Sequence, residues 1–179
     1  MRVIGGRYRG RTITCPPGVI RPAMDKMKES VFASLGDLEG MSFLDLFSGS
    51  GSMGIEAASR GASPVVLVER DRGKLATLNA NIAMVETEIR VVSAPAERFL
   101  LRASHPFSLI FLDPPFDYPY KIDIITKTGQ SKAVCPTSRV LIHLPTRESL
   151  PDRVGGLRQT DRRIYGGSAV VWFEPVADT

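Results

Sequence analysis

Four bulky apolar residues, Leu109-Ile110-Phe111-Leu112, run straight into Asp113-Pro114-Pro115-Phe116. An uninterrupted apolar run of this length fits a parallel strand buried on both faces. The prolines stop it abruptly. Proline has a fixed φ and no N–H, and the second one also holds the first in extended geometry. The predicted result is a rigid turn at the carboxyl end of a central strand, where open α/β sheets bind ligands. It presents a carboxylate on Asp113, a Pro114 carbonyl that no local N–H can easily claim, and the aromatic face of Phe116.

These groups suit the exocyclic amine of a nucleobase. Such an amine is a poor nucleophile because its lone pair is delocalised into the ring. Two acceptors, Asp113 and the Pro114 carbonyl, can draw its hydrogens out of plane and localise the lone pair. Phe116 can stack on the base, a contact worth about 1–3 kcal/mol. By itself Asp-Pro-Pro is equally a plain turn signal, so the reading depends on the rest of the chain.

Phe43-Leu44-Asp45-Leu46-Phe47 reads as a second buried strand, followed by Ser48-Gly49-Ser50-Gly51-Ser52-Met53-Gly54 and a helix from about Met53 to Ser59. Glycines at such a turn let a ligand approach the backbone at a helix N-terminus. Val65-Val66-Leu67-Val68 then ends in Glu69, placed to accept the two hydroxyls of a ribose. A glycine turn followed by that acid points to an adenosine cofactor, and leaves open nicotinamide or S-adenosylmethionine. After a third strand, Ile89-Arg90-Val91-Val92, the Ala96 N–H and a polar neighbour are placed to read the adenine. Val140-Leu141-Ile142-His143-Leu144 is a fifth strand. Gly166-Gly167 centres a closing hairpin, and residues 118–132 read as a polar helix and loop.

Residues 1–22 carry Arg2, Arg7, Arg9, Arg11 and Arg21 and no acid, within a chain of net charge +4. Alternation of Arg7, Arg9 and Arg11 would place them on one face of an extended strand beside Tyr8, a surface for a nucleic-acid phosphate backbone and a stacked base. The expected organisation is a basic N-terminal hairpin or arm over 1–22 and a catalytic domain over 23–179. With 43% hydrophobic and 23% charged residues the chain is an ordinary soluble one. It has no apolar run of membrane-spanning length and no signal-peptide h-region at its start. Cys15 and Cys135 are isolated, so no metal site is expected and a reduced, cytoplasmic setting is. His143 and Trp172 read as structural residues.

The opening Met-Arg-Val-Ile-Gly-Gly-Arg-Tyr-Arg-Gly-Arg, Arg21-Pro22 with Lys28-Glu29-Ser30-Val31-Phe32, the run from Leu44 to Gly51, and Arg163-Ile164-Tyr165-Gly166 together resemble the bacterial 16S ribosomal RNA guanine-N2 methyltransferases. That resemblance implies an α/β, Rossmann-like seven-stranded methyltransferase sheet, mostly parallel with an antiparallel C-terminal hairpin. It implies S-adenosylmethionine, held by Asp45, Phe47, Ser48, Gly49, Ser50, Gly51, Glu69, Arg70, Ala96, Glu97 and Asp113. Asp113, Pro114 and Phe116 would receive a flipped guanine, while Arg7, Tyr8, Arg9, Arg11 and Arg21 would grip 16S rRNA in an assembled small subunit. A monomer is expected. The chain departs from the family pattern at Pro95, where an acid near the adenine is usual, and at Ala23-Met24. Alternatives are an adenine-N6 methyltransferase, a nicotinamide-dependent dehydrogenase and a non-catalytic RNA-binding module.

Overall fold

A computed structural model describes residues 1–15 and 23–176. Five strands run in parallel: β1 (Phe43–Asp45), β2 (Val65–Glu69), β3 (Ile89–Ser93), β4 (Leu109–Leu112) and β5 (Arg139–Pro145). Three antiparallel strands complete the sheet: β6 (Arg153–Val154), β7 (Leu157–Tyr165) and β8 (Ser168–Pro175). The order is β3-β2-β1-β4-β5-β8-β7-β6, so eight strands stand where the resemblance implies seven. The extra one, β6, is a two-residue strand with no alternation to announce it.

Successive strands leave β1 first to one side, through β2 and β3, and then to the other, through β4 and β5. That reversal leaves a crevice at the carboxyl ends of β1 and β4. Register places Asp45 beside Phe111, so Asp113 projects just beyond the floor of the crevice. β1, β2 and β4 are buried throughout, which is why they read as apolar runs, with acids only at the ends of β1 and β2.

Neighbouring strand residues point to opposite sides and feed two core layers. Phe43, Val65, Leu67, Leu109 and Phe111 pack with α1 (Ala23–Leu35), α2 (Ser52–Ser59) and α3 (Arg72–Ile82). Leu44, Val66, Val68, Ile110, Leu112 and Ile142 pack with α4 (Ala96–Arg102) and α5 (Lys121–Gln130). The segment expected to be polar contains α5, whose Ile124, Ile125 and Thr128 are fully buried. Trp172 lies in the core as expected. Among the described residues no helix is long and apolar enough to cross a membrane.

The N-terminal segment differs most from its sequence reading. A hairpin is present, with Arg2 bridged to Thr12 and the Val3 N–H donating to the Arg11 carbonyl at 3.0 Å. It is not a free arm. Val3, Tyr8 and Ile13 belong to the same core layer as α1 and α2. Positive φ at Gly6 and Gly10 turns the chain between them, so Arg7, Arg9 and Arg11 do not line an extended strand. Tyr8 cannot stack on a base: it is 1% exposed and its hydroxyl lies 2.6 Å from Thr87 Oγ1. Arg7 and Arg9 remain exposed, while Arg11 covers the Tyr8 ring and bonds the Met84 carbonyl and Glu86. Arg21 lies outside the described residues.

Two buried side chains fasten this segment to the glycine turn. Lys28 Nζ donates to the Arg2 carbonyl at 2.7 Å and to Ser52 Oγ at 3.1 Å. Asn81 Nδ2 donates to the carbonyls of Thr14 and Ser50, each at 2.8 Å.

Candidate active site

The turn after β1 closes on itself and on β2. Gly51 N–H donates to the Ser48 carbonyl at 2.7 Å, and Ser48 N–H to the Val68 carbonyl at 3.1 Å. Gly49 and Gly51 have φ of 53° and 80°, a region that side chains other than glycine rarely adopt. Gly54 has a different reason to be glycine. A Cβ there would come within 2.2 Å of the Leu67 side chain, so its absence lets α2 lie against β2.

Glu69 ends β2 and is 6% exposed. One carboxylate oxygen accepts from Gly49 N–H at 2.8 Å and the other from Asp71 N–H at 2.7 Å. Each oxygen keeps a second lone pair, enough to accept from two ribose hydroxyls. Asp45 is 1% exposed and accepts from Phe47 N–H at 3.2 Å. Burial raises its carboxyl well above the ordinary range; the nearby Asp113 charge adds to this, the Phe47 N–H opposes it, and Glu69 adds again.

Asp45, Glu69 and Asp113 thus form an acidic floor. Among the described residues none of them makes an ion pair with a lysine or arginine. Such a cluster destabilises the empty protein and favours a cationic ligand. A pH effect follows. Between the ordinary carboxylate value and the raised one, folded Asp45 keeps a proton that the unfolded chain has released. Stability therefore falls as pH rises through that window. Asp45→Asn keeps the acceptor for Phe47 and removes the charge. Thermal unfolding of the ligand-free variant is expected at a higher midpoint than wild type at neutral pH, the two converging in acid.

The opposite rim adds Tyr118, which sequence reading passed over, to the expected Phe47 and Glu97. Tyr118, half-buried after the proline turn, donates to Glu97 Oε1 at 2.5 Å, and its ring meets that of Phe47 edge-on with centroids 5.5 Å apart. Burial and then the Glu97 carboxylate hold its phenol well above the ordinary value, so it acts as a donor. Phe47, Tyr118 and Glu97 form one wall. Ala96 is buried at the start of α4, and Arg70 is exposed beside Glu69.

The proline turn is held from behind. Lys121 Nζ donates to the Phe116 and Tyr118 carbonyls at 2.7 and 2.8 Å and reaches Glu148 at 3.0 Å. Among the described residues no hydrogen bond ends on the Pro114 carbonyl. Asp113 Oδ1 lies 2.8 Å from Nδ1 of His143, a residue that β4–β5 pairing brings alongside. A groove of about 410 Å³ runs past this turn, lined by Phe116, Tyr118, Arg147 and Ser149 among others. A second groove of about 640 Å³, lined by Arg7, Asp37, Glu39, Arg60, Ser63 and Thr87 among others, lies near the amino end of β2, and Asp45, Glu69 and Asp113 do not line it.

The family model described as Conserved hypothetical protein 95 matches residues 1–174. The chain is 34% identical over 181 residues to the putative rRNA methyltransferase YlbH of Bacillus subtilis, covering 97% of this chain and 98% of that protein. It is 39% identical over 120 residues to ribosomal RNA small subunit methyltransferase D of Escherichia coli, covering 65% of this chain and 60% of that one. The solved structure of the putative methyltransferase yhhF from Escherichia coli matches with a TM-score of 0.88 at 29% identity, over 99% of both chains. A hypothetical protein of Thermus thermophilus matches with a TM-score of 0.83 at 29% identity, over 97% of this chain and 99% of that one. In sequence over residues 1–174 and in fold over nearly its whole length, the chain belongs to the Conserved hypothetical protein 95 family of Rossmann-like methyltransferases.

Proposed function

We propose that this protein transfers the methyl group of S-adenosylmethionine to the exocyclic N2 of a guanine in 16S ribosomal RNA, acting as a monomer on an assembled small subunit in the cytoplasm. One observation carries the reading: the Asp113 carboxylate and a Pro114 carbonyl that accepts no hydrogen bond among the described residues stand at the crevice whose floor is the glycine turn, Asp45 and Glu69. The names of the relatives in Bacillus and Escherichia support ribosomal RNA as the substrate.

When bound, S-adenosylmethionine supplies an electrophilic methyl on a positively charged sulfur. The acidic floor suits that charge. Glu69 would hold the ribose hydroxyls, Phe47 and the turn through Gly51 would flank the ribose and methionine end, and Ala96 and Glu97 would border the adenine, with Arg70 at its edge. Asp113 and the Pro114 carbonyl accept the two amine hydrogens and localise the nitrogen lone pair toward the methyl. Phe116 stacks on the guanine ring. The surplus proton passes to Asp113 or to water. Fixing two reactants in line contributes about 7–11 kcal/mol to such a step. Taking the guanine out of its stack costs a few kcal/mol, offset by phosphate contacts from Arg7 and Arg9. Arg11, tied to Glu86, and Arg21 are assigned the same role.

The test is to incubate the protein with labelled S-adenosylmethionine and small subunits lacking the modification, then digest the RNA to nucleosides. Labelled N2-methylguanosine at one position is the expected product. N6-methyladenosine would contradict the assignment of the base, and no labelled nucleoside would contradict the substrate.

A further inference from the structure

His143 is a buried polar residue in the middle of the sheet, and the transfer chemistry above makes no use of it. Its side chain is 2% exposed, and Nδ1 lies 2.8 Å from Asp113 Oδ1. Its ring meets the Phe116 ring edge-on, with centroids 5.4 Å apart and planes at 64°. One imidazole therefore touches both the first and the last residue of the Asp-Pro-Pro-Phe turn. Across the sheet its antiparallel partner is Val170, which offers no charge.

Among the described residues the other ring nitrogen, Nε2, is buried with no hydrogen-bond partner. A carboxylate only accepts, so Nδ1 donates to Asp113 Oδ1. A leucine or phenylalanine would fill the same space without stranding a nitrogen. What imidazole adds is the one bond it makes.

We infer that His143 is the positioning residue of the acceptor site, fixing the Asp113 carboxylate through Oδ1 so that Oδ2 is the oxygen left for the base amine, and backing the Phe116 ring that stacks on that base. This rests on the role proposed above for Asp113. A carboxylate free to rotate would spend much of its time with neither oxygen aligned, and misplacement by about 1 Å can cost roughly 100-fold in rate. His143 itself touches neither cofactor nor base.

Four variants of the full chain test this: His143→Leu, His143→Asn, His143→Gln and Asp113→Ala. The measurements are single-turnover methylation of small subunits, calorimetric affinity for S-adenosylhomocysteine, and thermal unfolding. His143→Leu is expected to lose about 100-fold in single-turnover rate with unchanged affinity for S-adenosylhomocysteine. The Asn amide nitrogen sits where Nδ1 does, so His143→Asn should recover to within about tenfold of wild type. Gln places its amide near Nε2 and should not recover. A wild-type rate in His143→Leu overturns the inference, and so does a rate in His143→Asn no better than in His143→Gln. The Asn–Gln comparison stands even if the leucine variant fails to fold. Asp113→Ala separates the levels. If it is inactive while His143→Leu is fully active, only the positioning role falls; if it is fully active, the role of Asp113 falls with it.

Discussion

Asp113→Ala is expected to lower the rate of methyl transfer by about 10²–10³-fold, the range seen when one preorganised polar group is removed from a reacting centre. Affinity for S-adenosylhomocysteine should change little. That product lacks the sulfonium charge, so it reports the ribose and adenine contacts of Glu69, Ala96 and Glu97 rather than the acceptor side. The split between rate and affinity distinguishes loss of amine orientation from collapse of the crevice. Rapid-quench methylation and calorimetry on the same preparation measure both. A parallel fall in rate and affinity would place Asp113 on the cofactor side alone.

The largest expected effect on stability belongs to Glu56, on α2. It is 0% exposed and accepts from Ile4 N–H at 2.8 Å, Gly5 N–H at 2.9 Å and Arg60 Nε at 3.0 Å, with Lys28 Nζ 3.8 Å away. Burial pulls the Lys28 ammonium below its ordinary value, and Glu56 opposes this. Glu56→Ala strands a buried cation and two backbone donors together. Removing one partner of a buried pair costs about 3–5 kcal/mol, and denaturant unfolding should show a loss of that size. Lys28 also bonds Ser52 Oγ beside the glycine turn, so cofactor affinity should fall along with stability.

The contacts around Glu56 show why the start of the chain departs from its local pattern. Alternating arginines imply one face only if the backbone is extended, and Gly6 and Gly10, both with positive φ, bend it instead. The core role of Tyr8 depends on Thr87, 79 residues away. Local pattern succeeds where one element carries its own signal. The run Leu109–Leu112 before two prolines, the glycine turn before α2, Glu69 at the end of β2 and the hairpin at Gly166-Gly167 are all of that kind. It fails where register decides. His143 meets Asp113 only because β5 lies beside β4 with Ile142 opposite Leu112. Tyr118 reaches Phe47 and Glu97 across three separate segments. In α5 the buried Ile124, Ile125 and Thr128 are too few to mark an apolar face among polar neighbours.

The most direct measurement is a crystal structure of the protein with S-adenosylhomocysteine and a guanine-containing fragment of its RNA substrate. The account predicts a guanine N2 within about 2.6–3.2 Å of both Asp113 Oδ2 and the Pro114 carbonyl, facing the sulfur, with Oδ1 still bonded to His143. A purine held elsewhere, or an Asp113 carboxylate swung out of the crevice in the complex, would contradict it.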